Sequence, residues 1–197
     1  MHTAGAIIAG GEASRMGGEK PLLPFRGGTL LDAVIVRVRP QVDVLALNLR
    51  GDAKVKTDLP ILTDTIADKP GPLAGIVTAL EWAKALPGVE WLATFPCDTP
   101  FLPLNLVEIL RAAAIGSAPV VAHDGTATQN LCALWPLSSV DHLREALVSR
   151  GLRRLGEVER QLGAVICPVP APPYAFFNIN TPDDLAEAER IALTLRQ

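Results

Sequence analysis

The sequence predicts an α/β fold of the βαβ type. Short apolar runs alternate from end to end with amphipathic or capped stretches, and the 197 residues suffice for one domain, expected over 1–197, to bury a core without cross-links. The first run, Ala6-Ile7-Ile8-Ala9, is a strand candidate that leads into a glycine-rich loop. Thr29-x-x-Asp32 then has the form of a capping box and predicts a helix, although 34–38 (Val-Ile-Val-Arg-Val) also alternates like a strand. Strands are expected next at 42–47 and 60–62. Gly71-Pro72 opens a helix with Leu73, Ile76, Val77 and Leu80 at i, i+3, i+4 and i+7, and Pro87-Gly88 closes it. Further strands are expected at 91–95, 119–122, 131–135 and 165–169. Ser138-x-x-Asp141 and Thr181-x-x-Asp184 have the form of two more capping boxes, with Pro182 at the favoured first position of the last helix. The Pro-rich stretch 168–173 is too short to separate two domains and is expected to lead the chain across the mouth of the sheet.

Composition narrows the functional classes. The hydrophobic share is 49% and the mean hydropathy +0.28, yet Glu81 and Lys84 interrupt the stretch 71–86, and Asp32 and Arg37 interrupt 29–38. No run therefore approaches the ~20 apolar residues that a membrane helix needs. The first residues carry no basic region ahead of a short apolar run, so a cytoplasmic protein without membrane attachment is expected. A net charge of −3 argues against a nucleic-acid surface, so an anionic substrate must be held by a few placed cations. Cys97, Cys132 and Cys167 lie far apart without metal-ligand spacing and are expected to be buried small hydrophobes. His2, His123 and His142 share no spacing with a nucleophile.

Five segments can carry chemistry. In Gly10-Gly11-Glu12-Ala13-Ser14-Arg15-Met16-Gly17-Gly18-Glu19-Lys20, glycines let backbone N–H groups approach a ligand, while Arg15 and Lys20 can neutralise it, which suits polyphosphate. The spelling is neither GxGxxG nor the Walker A loop, and the plain alternative is a turn with solvated charges. In Pro96-Cys97-Asp98-Thr99-Pro100, a carboxylate ends an apolar strand between two prolines. Asp98 is thus the leading ligand for Mg²⁺, an ion usually held by one or two carboxylates plus substrate phosphates, though Asp-Thr-Pro also suits a turn or helix cap. Asn48 and Asp64 stand at strand ends, where polar residues are commonly turn formers. In Asn178-Ile179-Asn180-Thr181-Pro182, Asn180 or Thr181 could simply cap the last helix.

Taken in order from Ile8 to Leu185, these segments resemble the molybdenum cofactor guanylyltransferase (MobA) family. The family pattern LAGG…RMG-x-DK, a strand-end Asn, an Asp ahead of GPLAG, then PCDTP and N-x-NTP corresponds here to Ile8-Ala9-Gly10-Gly11, Arg15 to Lys20, Asn48, Asp64, Gly71-Pro72-Leu73-Ala74-Gly75, Pro96 to Pro100 and Asn178 to Pro182. The departures are Ile8 for Leu, Glu19 for Asp beside the lysine, and a loose match over Gln129-Asn130-Leu131. The resemblance implies a three-layer Rossmann-like nucleotidyltransferase fold with a mostly parallel sheet. It also implies transfer of GMP from GTP to the terminal phosphate of molybdopterin, with release of pyrophosphate. Ile8, Ala9, Gly10, Gly11, Asn48 and Asp64 would then hold the nucleoside, Arg15 and Lys20 the phosphates, and Asp98 the Mg²⁺ cofactor, while Asn178 and Asn180 would face the acceptor. Such a transfer needs positioning and charge neutralisation more than a protein nucleophile, in keeping with these residues. The resemblance also leaves room for transient contact with molybdoenzymes or other cofactor-biosynthesis proteins. The alternatives are a cytidylyl or sugar-phosphate nucleotidyltransferase of the same fold, or a non-catalytic nucleotide-binding partner of molybdoenzymes.

Overall fold

The computed structural model describes residues 2–9, 20–49, 55–64, 66 and 71–195. Its main sheet runs, edge to edge, through β5 (Ile61–Thr63), β4 (Val44–Leu49), β1 (His2–Ile8), β6 (Val89–Pro96), β8 (Thr128–Pro136), β7 (Val120–His123) and β9 (Val165–Pro168). All neighbours are parallel except those of β8, which lies antiparallel to both β6 and β7. The reversal is local in origin. Only residues 124–127 join β7 to β8, and Asp124 Oδ1 closes that turn by accepting from Thr126 N (2.7 Å) and Ala127 N (2.8 Å), a connection too short for a parallel crossover.

Helices cover both faces because the strands are apolar on both. Ile7, Leu47 and Phe95 pack with Leu31 and Val34 of α1 (Leu30–Val38) and with Leu106 and Leu110 of α3 (Leu106–Ala112). Ala4, Ala6, Ile8 and Trp135 point the other way, toward α2 (Pro72–Lys84), α4 (Val140–Val148) and α5 (Leu155–Gln161). A smaller cluster of Phe25, Leu30, Phe101, Ile179, Ala188 and Ala192 seats α6 (Pro182–Thr194) beside the hairpin of β2 (Pro24–Phe25) and β3 (Gly28–Thr29).

The seven expected strands all form, with shifted ends. The run expected at 42–47 becomes Val44–Leu49, because a 3₁₀ turn at Arg39–Gln41 delays its start, so Asn48 lies within the strand instead of following it. The segment from Thr29 is helical, with a complete capping box, and the Thr181 box is complete as well. The box expected at Ser138 does not form. Ser138 sits in a 3₁₀ turn, Leu137–Ser139, and α4 starts after it without a side-chain cap. The sequence patterns do not announce α3, α5 or the β2–β3 hairpin.

The connections determine where a ligand can bind. From β1 the chain passes through α1, on one face, to β4. From β5 it passes through α2, on the other face, to β6 on the opposite side of β1. Strand order therefore reverses about β1, and open α/β sheets bind ligands outside the carboxyl ends of strands at such a point.

Candidate functional site

The charged residues of the site gather at that carboxyl edge. Ile8 ends β1 in register with Pro96 of β6 on one side and Asn48 of β4 on the other. Two residues beyond Pro96, the partly buried Asp98 accepts a hydrogen bond at Oδ2 from Lys20 Nζ at 2.5 Å. Lys20 also donates to Asn180 Oδ1 at 2.6 Å. One ammonium thus joins the start of a 3₁₀ turn (Lys20–Leu22), the end of β6 and the segment before α6. Charge-assisted bonds of this kind contribute about 1.5–3 kcal/mol each. The segment carrying Asn180 is itself anchored, since Ile179 N donates to Asp98 O at 3.0 Å and the Ile179 side chain is fully buried. The Pro-rich stretch after β9 therefore brings the chain back to the Asp98 loop, as expected of it.

The helix-capping question is resolved by the same geometry. Thr181 is the N-cap of α6, its Oγ1 accepting from Asp184 N at 3.1 Å, while Asp184 Oδ2 accepts from Thr181 N (2.8 Å) and Asn180 N (2.9 Å). These backbone donors, Asn180 N first, hold the Asp184 carboxyl below its ordinary range. The Asn180 side chain, released from capping, points to Lys20.

A second pair lies on the other side of β1. Asn48 is fully buried, and its Nδ2 donates to Asp64 Oδ1 at 2.8 Å and to Leu62 O at 3.2 Å. Its Oδ1 accepts no hydrogen bond among the described residues and faces Gly75 of α2. A Cβ on Gly75 would lie 2.2 Å from that oxygen, so only glycine allows the helix to approach the strand here. The Asn48 side chain thus lies under the half-buried Asp64 and fixes the direction of its Oδ1. Ile8 ends β1 and Ala9 follows it. The Ile8 side chain is buried in the core, and Ala9 N donates to Asn48 O at 2.9 Å. Gly10, Gly11, Arg15 and Glu19 lie outside the described residues.

On the β8 side of Asp98 opens a polar cleft of about 460 Å³, bordered by Pro72, Thr99, Asn130, Arg154 and Asn178. Thr99 links it to the charged centre, its Oγ1 donating to Asp98 Oδ1 at 3.3 Å. Asn178 faces this cleft and Asn180 the lysine. Of the other cleft residues, Pro72, Pro96 and Thr99 lie in the segments the sequence singles out and Gln129-Asn130-Leu131 in a loosely matching one, whereas Arg154 and Gly156 carry no signal. All three cysteines are buried. Burial and the neighbouring Asp98 charge push the Cys97 thiol up to about 12, so it stays protonated beside the site.

The fit to a divalent ion follows from the donors. Asp98 uses Oδ2 for Lys20, while among the described residues Oδ1 has only the long contact to Thr99. Among the described residues no group of three or more His, Cys, Asp or Glu could enclose a metal. Such a site suits a hard ion that takes one carboxylate and completes its shell with substrate oxygens.

Fold and site together define an α/β nucleotidyltransferase. The model of the MobA-like NTP transferase domain matches residues 5–164, and the chain belongs to that family. It is 41% identical over 198 residues to the molybdenum cofactor guanylyltransferase of Rhodopseudomonas palustris (strain BisB5), an alignment covering 97% of this chain and 94% of that protein. Identity to the molybdenum cofactor guanylyltransferase of Mesorhizobium japonicum is 43%, with 95% of each chain covered. Among solved structures, molybdopterin-guanine dinucleotide biosynthesis protein A from Archaeoglobus fulgidus shares the fold with a TM-score of 0.76 at 23% identity, covering 98% of this chain and 99% of that one. Among the described residues no helix is long and apolar enough to cross a membrane.

Proposed function

We propose that this protein transfers GMP from GTP to the terminal phosphate of molybdopterin, forming the guanine dinucleotide form of the cofactor and releasing pyrophosphate. The observation that carries the reading is Lys20 bridging Asp98 and Asn180 at the switch point of the sheet, between Asp64 on one side and a polar cleft on the other. An oxygen of the acceptor phosphate attacks the α-phosphorus of GTP, a new P–O–P link forms, and the bond to the β-phosphate breaks. Lys20, with Arg15, holds the phosphates in line, and the chain supplies no nucleophile, in keeping with the protonated Cys97. Asp98 together with the phosphates would hold Mg²⁺, which when bound neutralises part of the triphosphate charge. The Asp64 carboxylate, aimed by Asn48, accepts from the adjacent N1–H and amine of guanine, a donor pair that adenine and cytosine lack. Asn178 and Asn180 face the acceptor. The reaction is expected in the cytoplasm.

The test is incubation of the purified protein with Mg²⁺, molybdopterin and each nucleoside triphosphate in turn, followed by product identification. Formation of the guanine dinucleotide and pyrophosphate with GTP alone is the expected result. A cytidine product would move the protein to the cytidylyl branch, and nucleotide binding without any product would make it a non-catalytic partner.

A further inference from the structure

The cleft beside Asp98 is backed by a charged group that the proposed transfer does not use. Glu159 of α5 is only 3% exposed, although it is a carboxylate. Its Oε2 accepts from Asn130 Nδ2 at 2.5 Å, and its Oε1 has no hydrogen-bond partner among the described residues. Asn130 belongs to β8 and borders the cleft on the side facing Thr99 and Asn178. It also borders a second cavity, lined in part by Gly156, Glu159 and Arg160, so Asn130 stands between the cleft and Glu159. Gly156, in the first turn of α5, lets Asn130 approach the helix. A Cβ there would stand 3.2 Å from Asn130 Nδ2 and 3.9 Å from Glu159 Oε2.

A carboxylate is costly to bury, and a helix with a plain apolar residue at this position would pack against β8 without that cost. What the carboxylate supplies is direction. An Asn amide can lie either way round in a polar cleft, but an ionised carboxylate accepts only, so Glu159 in its charged form turns the amide nitrogen inward and the carbonyl oxygen away. Burial keeps water from competing for that bond, and the same burial pushes the Glu159 carboxyl up to about 7.

We propose that Glu159 is a positioning residue for the acceptor half of the reaction, acting through Asn130. This inference rests on the reading of the site as a nucleotidyltransferase, with the acceptor in the polar cleft. It separates acceptor binding from nucleotide binding, because Asp64 and Asn48 stand across β1 from the pair.

The test compares steady-state kinetics of the wild type, Glu159→Leu, Glu159→Gln and Asn130→Ala with GTP and molybdopterin. Folded protein is normalised by circular dichroism, and GTP affinity is measured separately at equilibrium. Glu159→Leu and Asn130→Ala should each raise KM for molybdopterin about tenfold or more, with KM and equilibrium affinity for GTP within about twofold of wild type. Glu159→Gln can present an oxygen to Asn130 but no longer fixes which way the amide lies, so its acceptor KM should fall between those of the wild type and Glu159→Leu. An acceptor KM unchanged in Glu159→Leu, or equal increases for both substrates, overturns the role. If Glu159→Leu does not fold, Asn130→Ala decides by the same criteria. Lack of GMP transfer by the wild type overturns the underlying reading and this role together, whereas wild-type transfer that is insensitive to both variants overturns the role alone.

Discussion

At the scale of single residues, Lys20 is the junction of the site, since its ammonium is the donor to both Asp98 and Asn180. Lys20→Ala removes a charge-assisted contact of about 1.5–3 kcal/mol, which is roughly a 10- to 150-fold loss of GTP affinity. Affinity for guanosine, which has no phosphates, should stay near wild type. Titration calorimetry with both ligands checks this, and equal losses would mean that Lys20 acts on something other than phosphate. Glu159 yields a pH prediction of a different kind. Burial raises its carboxyl from the ordinary 4.5 to about 7, more than the bond to Asn130 lowers it. The folded state therefore binds the proton more tightly than the unfolded state does. The associated stability is fully present below about pH 4.5 and is lost as the pH rises through about 7, at most about 3 kcal/mol in all. Glu159→Gln has no such titration. Its melting temperature relative to wild type should rise by up to about 6–12 °C between pH 4.5 and pH 8, since 1 kcal/mol corresponds to about 2–4 °C in a chain of this size. A difference in melting temperature that stays flat across this range would show that Glu159 is not desolvated.

At the scale of elements, what is legible in the sequence is what neighbouring residues determine among themselves. The boxes at Thr29 and Thr181 can be read because each closes within four residues. The same spelling at Ser138 fails because the preceding turn winds as 3₁₀, which places Ser138 outside the position where its hydroxyl could cap. The helices α3 and α5 escape notice because each has only seven residues, with three buried positions apiece, too few to set up a periodicity. The last helix offers a test that separates capping from chemistry. Thr181→Ala removes the cap and should cost about 1 kcal/mol of stability, while turnover per folded molecule is kept. Asn180→Ala leaves the cap in place but takes away the partner of Lys20, so it should leave the melting temperature within about 2 °C and lower turnover about tenfold or more. Thermal melts paired with initial rates distinguish the two, and the reverse pattern would assign the capping role to Asn180.

At the scale of the whole molecule, the site depends on separations that no local pattern contains. Lys20 meets Asp98 across 78 positions and Asn180 across 160, contacts that exist because β1 and β6 are neighbours and the last segment returns to their carboxyl ends. Each residue can be picked out in the sequence, but their meeting cannot, and the Asn130–Glu159 pair has no local signature at all. The same topology divides the labour. Asp64 lies at the β4–β5 side of β1, Asn178 at the β8 side, and Lys20 and Asp98 between them. Kinetic effects should divide in the same way. Asp64→Asn replaces one acceptor oxygen with a donor facing guanine, so the kcat/KM ratio of GTP to ATP should fall at least about tenfold, the equivalent of about 1.4 kcal/mol or more, while KM for molybdopterin stays within about twofold. Asn178→Ala should raise KM for molybdopterin and leave the GTP to ATP ratio untouched. Asp98→Ala, at the centre, should abolish Mg²⁺-dependent turnover with either base, and the fold should persist because a half-buried strand-end carboxylate contributes little to the core. A full set of steady-state constants for the three variants measures this division. If Asp64→Asn keeps the wild-type base ratio and instead disturbs the acceptor KM, then the nucleotide does not lie on the β4–β5 side, and the two substrates must exchange places across β1.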